Sequence, residues 1–263
     1  MNKINFGIVH LSVVPGRAEP SHRSEQVTQV LFGETFKVLR SEQDWHFIKI
    51  DYDAYECWID GNQFVPLAED HYHEYLKKSN FLNTQIFTTI KLQGDSSLQL
   101  IGIGANFPFY SGKHFKIGDN IYEVEHPPED NLNTQASEAR IVAIAESLLN
   151  TTYLWGGKSI MGIDCSGFTQ LVFKCLGIKL PRDAYQQADM GYTLSFVAEA
   201  RTGDLAFFDN DEGKIVHVGI VHGSDKIIHA SGKVRIDRLD HQGIFNEDSG
   251  RYTHKLRLIK RII

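Results

Sequence analysis

Three cysteines in 263 residues leave little sulfur chemistry to consider. Cys57, Cys165 and Cys175 form an odd, sparse set with no CxxC pair, which argues against a disulfide framework and leaves at least one thiol free. No His/Cys run has zinc-ligand spacing, so neither metal nor cofactor is expected. Basic charge is also short. Lys and Arg number 27 against 33 Asp and Glu, a net charge of -6, without the concentrated basic face that nucleic-acid binding requires. No apolar run approaches the roughly 20 residues of a membrane-spanning helix. The start lacks an apolar stretch followed by a small-residue cleavage site. As given, the chain reads as a cytoplasmic monomer without membrane insertion, and as periplasmic or secreted if a signal peptide has been removed from it.

What is present suits a multidomain globular protein, with 42% hydrophobic and 23% charged residues. Residues 4–66 hold short apolar runs separated by Gly or Asp turns: Phe6-Gly-Ile-Val, Val30-Leu-Phe, Trp45-His-Phe-Ile-Lys-Ile and Tyr55-Glu-Cys-Trp-Ile. Such runs predict a small all-β barrel over residues 1–67. A second strand-rich stretch, residues 84–125, predicts another over 80–128. Residues 68–78 between them fit a short helix or an ordered connector equally. Pro127-Pro128 then marks a linker, since paired prolines propagate neither helix nor central strand.

The last region, 131–263, reads as α+β. Ile141, Ile144, Ala145, Leu148 and Leu149 recur at helical spacing over residues 135–150, with Asn133 or Thr134 as N-cap. After a glycine-rich loop, Phe168, Leu171, Val172, Cys175 and Leu176 form a second helical stripe ended by Gly177. A third short helix is expected after Pro181. Residues 204–208, 214–221, 226–230 and 256–262 read as antiparallel strands.

Cys165 falls at the first turn of the second helix, where unpaired N–H groups and the dipole favour thiolate over thiol. A lone cysteine is by default a small buried residue. Here Asp164 and Ser166-Gly167 flank it with the small polar groups of a loop-to-helix junction beside a ligand, whereas Cys175 belongs to the apolar stripe and Cys57 to a strand. A nucleophilic cysteine needs a base. The segment 214–231 reads as a hairpin turning at Gly223-Ser-Asp, which places His217 and His222 on opposite faces and His229 roughly opposite His217. Facing residues lie about 4.5–5.5 Å apart, close enough for one imidazole to orient the other. His10, His46, His71, His73, His114, His126, His241 and His254 fit surface or packing roles. In Tyr153-Leu-Trp-Gly-Gly, the glycines permit close backbone approach to a ligand, Tyr153 offers a hydroxyl near an oxyanion, and Trp155 a cleft wall.

Taken in order, Tyr153-Leu-Trp-Gly-Gly, Ile163-Asp-Cys-Ser-Gly-Phe-Thr-Gln, Leu180-Pro-Arg-Asp, Thr202-Gly-Asp-Leu-Ala-Phe-Phe, Val216-His-Val-Gly-Ile and Ile228-His-Ala-Ser resemble the successive motifs of the NlpC family of papain-like cell-wall peptidases. The resemblance spans about residues 135–263. It implies a papain-like domain with a helix-borne cysteine and an antiparallel sheet. It also implies metal-free acyl-enzyme cleavage of peptidoglycan stem peptides, commonly at the γ-D-glutamyl bond to a diamino acid, by Cys165, His217 and His229.

The upstream barrels resemble bacterial SH3-like domains, and the three-domain order is similar to γ-D-glutamyl-L-diamino acid endopeptidases that process free muropeptides. In such enzymes the first barrel closes one end of the cleft and selects a free N-terminal L-alanine. That implies Asp164 as a carboxylate for the amine, against the alternative of simple N-capping, with Ser166 beside it. Tyr55, and more weakly Glu25 or Glu34, would complete the amine pocket. Hydrolysis of intact peptidoglycan, acyl transfer to another acceptor, and wall binding without catalysis are the competing readings.

Overall fold

The computed structural model describes residues 4–78, 81–126 and 137–263. The chain divides into two compact units, Met1–Asn133 and Thr134–Ile263.

In the first unit, seven antiparallel strands form one sheet in the order Gln26–Leu31, Val13–Arg17, Glu56–Asp60, Trp45–Ile50, Thr35–Glu42, Phe6–Ile8 and Val65–Leu67. Along Trp45–Ile50, burial alternates residue by residue, as expected of a strand with one face on a core. That core holds Val14, Val30, Phe36, Ile48, Ile50, Cys57 and Ile59. A four-stranded sheet follows, Leu98–Gly102, Phe87–Leu92, Asn120–Val124 and His114–Ile117. Its core is not its own alone: Ile8 of the first sheet and Phe32, in the turn after strand Gln26–Leu31, join Ile90, Phe107, Phe115 and Tyr122 in one cluster. Phe32 meets the rings of Phe115 and Tyr122 edge-on, at 5.6 and 6.0 Å. The stretch that fitted helix or connector is a helix, Glu69–Lys77. It buries Tyr72 and Tyr75, and Tyr72 stacks on Phe6 at 4.1 Å.

In the second unit the first helix is Glu138–Ser147, capped by the Ser137 hydroxyl on the Arg140 N–H. It starts later than the periodicity predicts; Asn133, Thr134 and the paired prolines lie outside the described residues. Helix Cys165–Lys174 is buried along its whole length and packs on strands Ile215–His222 and Lys226–Ser231. Gly177, at φ +77°, takes the left-handed position after it. The helix after Pro181 is short, Ala184–Gln187.

The sheet runs Tyr192–Thr193, Arg251–Arg261, Leu205–Asp209, Ile215–His222, Lys226–Ser231, Lys233–Leu239 and Gly243–Asn246, and the last strand pairs back onto Arg251–Arg261. Lys233–Leu239 and Gly243–Asn246 were not anticipated from sequence. They close the sheet and add a neighbour beside His229.

Candidate active site

The helix bearing Cys165 begins where a glycine-rich loop is pressed against it. A Cβ at Gly157 would sit 2.3 Å from the Gly162 carbonyl oxygen, and one at Gly167 would sit 2.2 Å from the Gly157 oxygen, so only glycine allows this approach. Asp164 is the N-cap. Its Oδ1 accepts from the Gly167 N–H at 2.7 Å, from Arg182 Nη1 at 3.0 Å and from the Ser166 hydroxyl at 3.3 Å. Its Oδ2 accepts from the Gly156 N–H at 2.9 Å and from Arg182 Nη2 at 2.6 Å. Ser166 Oγ in turn accepts from Arg182 Nη1 at 2.9 Å. The carboxylate thus caps the helix and fixes Arg182. A substrate ammonium would have to displace one of these donors, of which Ser166 is held at the longest distance.

Cys165 is 6% exposed, and its sulfur accepts from the backbone N–H groups of Val218 and Ser166. These donors and Arg182 favour the thiolate, but burial and the neighbouring Asp164 charge outweigh them and push the thiol up to about 12. The helix N-terminus therefore does not by itself give the resting thiolate expected from sequence. His217 is held well below its ordinary value, by burial and by the adjacent His229 and His254. Each charge alone is disfavoured. Passing the thiol proton to a neighbouring imidazole would create both charges together and let each stabilise the other.

The structure brings His217 and His229 together: His217 Nε2 lies 2.8 Å from His229 Nδ1, with the rings at 86°. The hairpin turns through residues 223–225, and His222 points away, 3.5 Å from Glu146. Register differs from expectation by two residues. His229 pairs with Gly219, so His217 is its diagonal neighbour on the same face. Gly219 makes this fit, since a Cβ there would lie 2.8 Å from His229 Cβ.

Two residues join this group that sequence reasoning had not selected. Asp237, 5% exposed, accepts from His229 Nε2 at 3.0 Å through Oδ2, and the Arg235 guanidinium sits on the same carboxylate with two contacts of 2.8 Å. Burial raises Asp237, but its bonds to His229 and Arg235 win and hold it below the ordinary carboxylate range. His254 stacks on His217, with ring centroids 4.1 Å apart, and burial lowers it to about 4.

One ring nitrogen each of His217, His229 and His254 lies within 4.8 Å of the other two, a spacing that could admit a metal ion. The rings of His217 and His254 are stacked face to face, and both nitrogens of His229 are already hydrogen-bonded. The arrangement suits passing a proton better than converging on an ion.

Tyr153, Val216, His217, Ala230, Ser231, Gly232 and His254 line a cavity of about 270 Å³. Burial, then the Cys165 and Asp164 charges, raise the Tyr153 phenol to about 12, keeping it a protonated donor beside the thiol. Trp155, 59% exposed, stands on the same loop. In the first unit, Tyr55 is half-buried against that unit's core after a turn in which its N–H bonds Asp53. Glu34 is 1% exposed and accepts from the Leu31 N–H, a turn contact, while Glu25 is exposed.

Residues 150–250 match the NlpC/P60 family, and residues 16–64 match the bacterial dipeptidyl-peptidase SH3 domain. The chain is 30% identical over 220 residues to the gamma-D-glutamyl-L-lysine dipeptidyl-peptidase of Bacillus subtilis, covering 77% of this chain and 71% of that one. It is 26% identical over 258 residues to dipeptidyl-peptidase 6 of Lysinibacillus sphaericus, covering 86% and 88%. The crystal structure of an NlpC/P60 family protein from Bacillus cereus superposes with a TM-score of 0.81 at 18% identity, covering 98% of this chain and 99% of that one. The chain belongs to the NlpC/P60 family of cysteine peptidases.

Proposed function

We propose that this peptidase hydrolyses the γ-D-glutamyl bond to the diamino acid of peptidoglycan stem peptides, acting on muropeptides with a free N-terminal L-alanine. The observation that carries the reading is the hydrogen-bonded pair His217–His229 on the sheet against which the Cys165 helix packs, with the Cys165 sulfur at the amide of Val218, next to His217. The similarity to a gamma-D-glutamyl-L-lysine dipeptidyl-peptidase and to dipeptidyl-peptidase 6 supports the substrate class.

In this mechanism His217 takes the Cys165 proton as sulfur attacks the γ-glutamyl carbonyl. The Cys165 N–H and the Tyr153 hydroxyl hold the oxyanion, His217 protonates the departing amine, and water releases the acyl-enzyme. His229 orients His217. Ser166 and Asp164 border the nucleophile, and Trp155 walls the cleft. The sheets over 6–67 and 81–124 are read as two SH3-like domains ahead of the catalytic one, supported by their separate strand pairing and, for the first, by the SH3 match.

The test is mass analysis of products from L-Ala-γ-D-Glu-diamino acid tripeptide, the matching tetrapeptide and intact peptidoglycan. Release of the dipeptide L-Ala-γ-D-Glu is expected from the free peptides, with little from the polymer. Cys165→Ala and His217→Ala should abolish turnover, and His229→Ala should reduce it less. Turnover by Cys165→Ala would overturn the catalytic assignment. Equal cleavage of peptidoglycan would overturn the muropeptide preference.

A further inference from the structure

The proton positions along the chain from Asp237 to His217 follow from one another. The Asp237 carboxylate has only acceptors, so the 3.0 Å contact requires His229 to carry its proton on Nε2. Burial keeps His229 neutral, which leaves a lone pair on Nδ1. Across the 2.8 Å contact to that lone pair, His217 must donate from Nε2. A neutral His217 with its proton on Nε2 has its lone pair on Nδ1, the nitrogen not used by His229. That is the atom a general base needs.

Asp237 does not reach this state by default. It lies on a strand that pairs directly with that of His229, where Arg235 faces His229 and Asp237 is the diagonal neighbour. Arg235, itself paired with Asp248, grips the carboxylate, and the Asn246 amide approaches Oδ2 at 3.4 Å. The carboxylate is thus buried, ionised and aimed.

We propose that Asp237 is the positioning residue of this site: through His229 it fixes the tautomers of both histidines, so that His217 presents the Nδ1 lone pair for the Cys165 proton. In an Asp237→Asn variant the amide can turn its NH₂ toward His229. His229 then carries its proton on Nδ1, His217 must accept at Nε2, and the His217 proton moves to Nδ1, where it blocks proton uptake from the thiol. The proposal rests on the assignment of Cys165 and His217 made above.

An aspartate touching the base directly is worth about 10⁴-fold in a triad; acting through an intervening histidine, Asp237→Asn is expected to lower kcat roughly 10²-fold with KM little changed. Imidazole ¹⁵N NMR of the unmodified protein reads the tautomers without relying on turnover. Protonated Nε2 on both histidines is expected, with a shift toward protonated Nδ1 in Asp237→Asn. A resting His217 protonated at Nδ1, or an Asp237→Asn variant with unchanged kcat, would overturn the proposal. Activity surviving in Cys165→Ala would instead strike at the catalytic assignment, and the NMR result would still decide the tautomers.

Discussion

The ring of His254 lies face to face with that of His217, centroids 4.1 Å apart and planes 25° apart. The contact is one between neutral rings, because burial lowers His254 to about 4. Above pH 6.5 neither the folded nor the unfolded chain protonates this residue, and it adds no pH dependence. Between pH 6.5 and 4 the unfolded chain binds a proton that the folded one refuses, so stability declines as pH falls, and the decline levels off below 4. His254→Phe keeps a stacked ring without the titration. Its melting temperature is expected to fall less than that of the parent between pH 6.5 and 4, and parallel melting curves would count against the linkage. His254→Ala removes the ring, and kcat/KM is expected to drop about 2- to 10-fold, the value of an aromatic stack.

Gly219 marks a second dependence of the site on its neighbours. A methyl at this position would meet Ile227 Cδ1 at 2.7 Å and His229 Cβ at 2.8 Å. The isoleucine tip can swing aside. His229 cannot, because its ring is tied at both nitrogens. Gly219→Ala is therefore expected to cost about 1–3 kcal/mol of stability as an overpacked site and to displace His229 from His217. Turnover measured well below the melting temperature should fall even where the protein remains folded. Unchanged kcat would mean that the hairpin absorbs the methyl.

The position of Cys165 at a helix start and the contact of His217 with His229 were legible from sequence because each rests on local rules: a capping Asp before an apolar helical stripe, and two-residue alternation about a three-residue turn. The two-residue register error shows their limit, since turn residues leave the pairing open while parity alone fixes the face. Asp237 escaped because no strand was anticipated over 233–239, a segment in which charged residues alternate with Val234 and Ile236. His254 carries a signal in the sequence: with Leu256 and Leu258 it occupies alternate half-buried positions of strand Arg251–Arg261, separated by the exposed Lys255 and Arg257. The thiol's resting state was not legible at all. Helix position favours the thiolate, but the burial that opposes it depends on how the whole sheet closes over the helix.

Arg182 and Asp164 form a two-pronged pair behind the nucleophile, with side chains 2% and 8% exposed. Such a buried pair adds little net stability compared with apolar replacements, but breaking it from one side is severe. Arg182→Met leaves the Asp164 charge without its strongest partner and removes the cation that lowers the Cys165 thiol, while the carboxylate that raises it remains. Stability is expected to fall by about 3–5 kcal/mol, and the pH at which iodoacetamide alkylates Cys165 should move upward. The double variant Asp164→Asn/Arg182→Met separates charge from shape. Asparagine still caps a helix N-terminus, so removing both charges should recover much of the stability lost in Arg182→Met, as measured by urea unfolding. If the double variant is no more stable than Arg182→Met, the loss arises from packing of the arginine against the loop at Gly157 and not from the stranded carboxylate. An alkylation profile unchanged in Arg182→Met would show that the guanidinium does not act on the thiol.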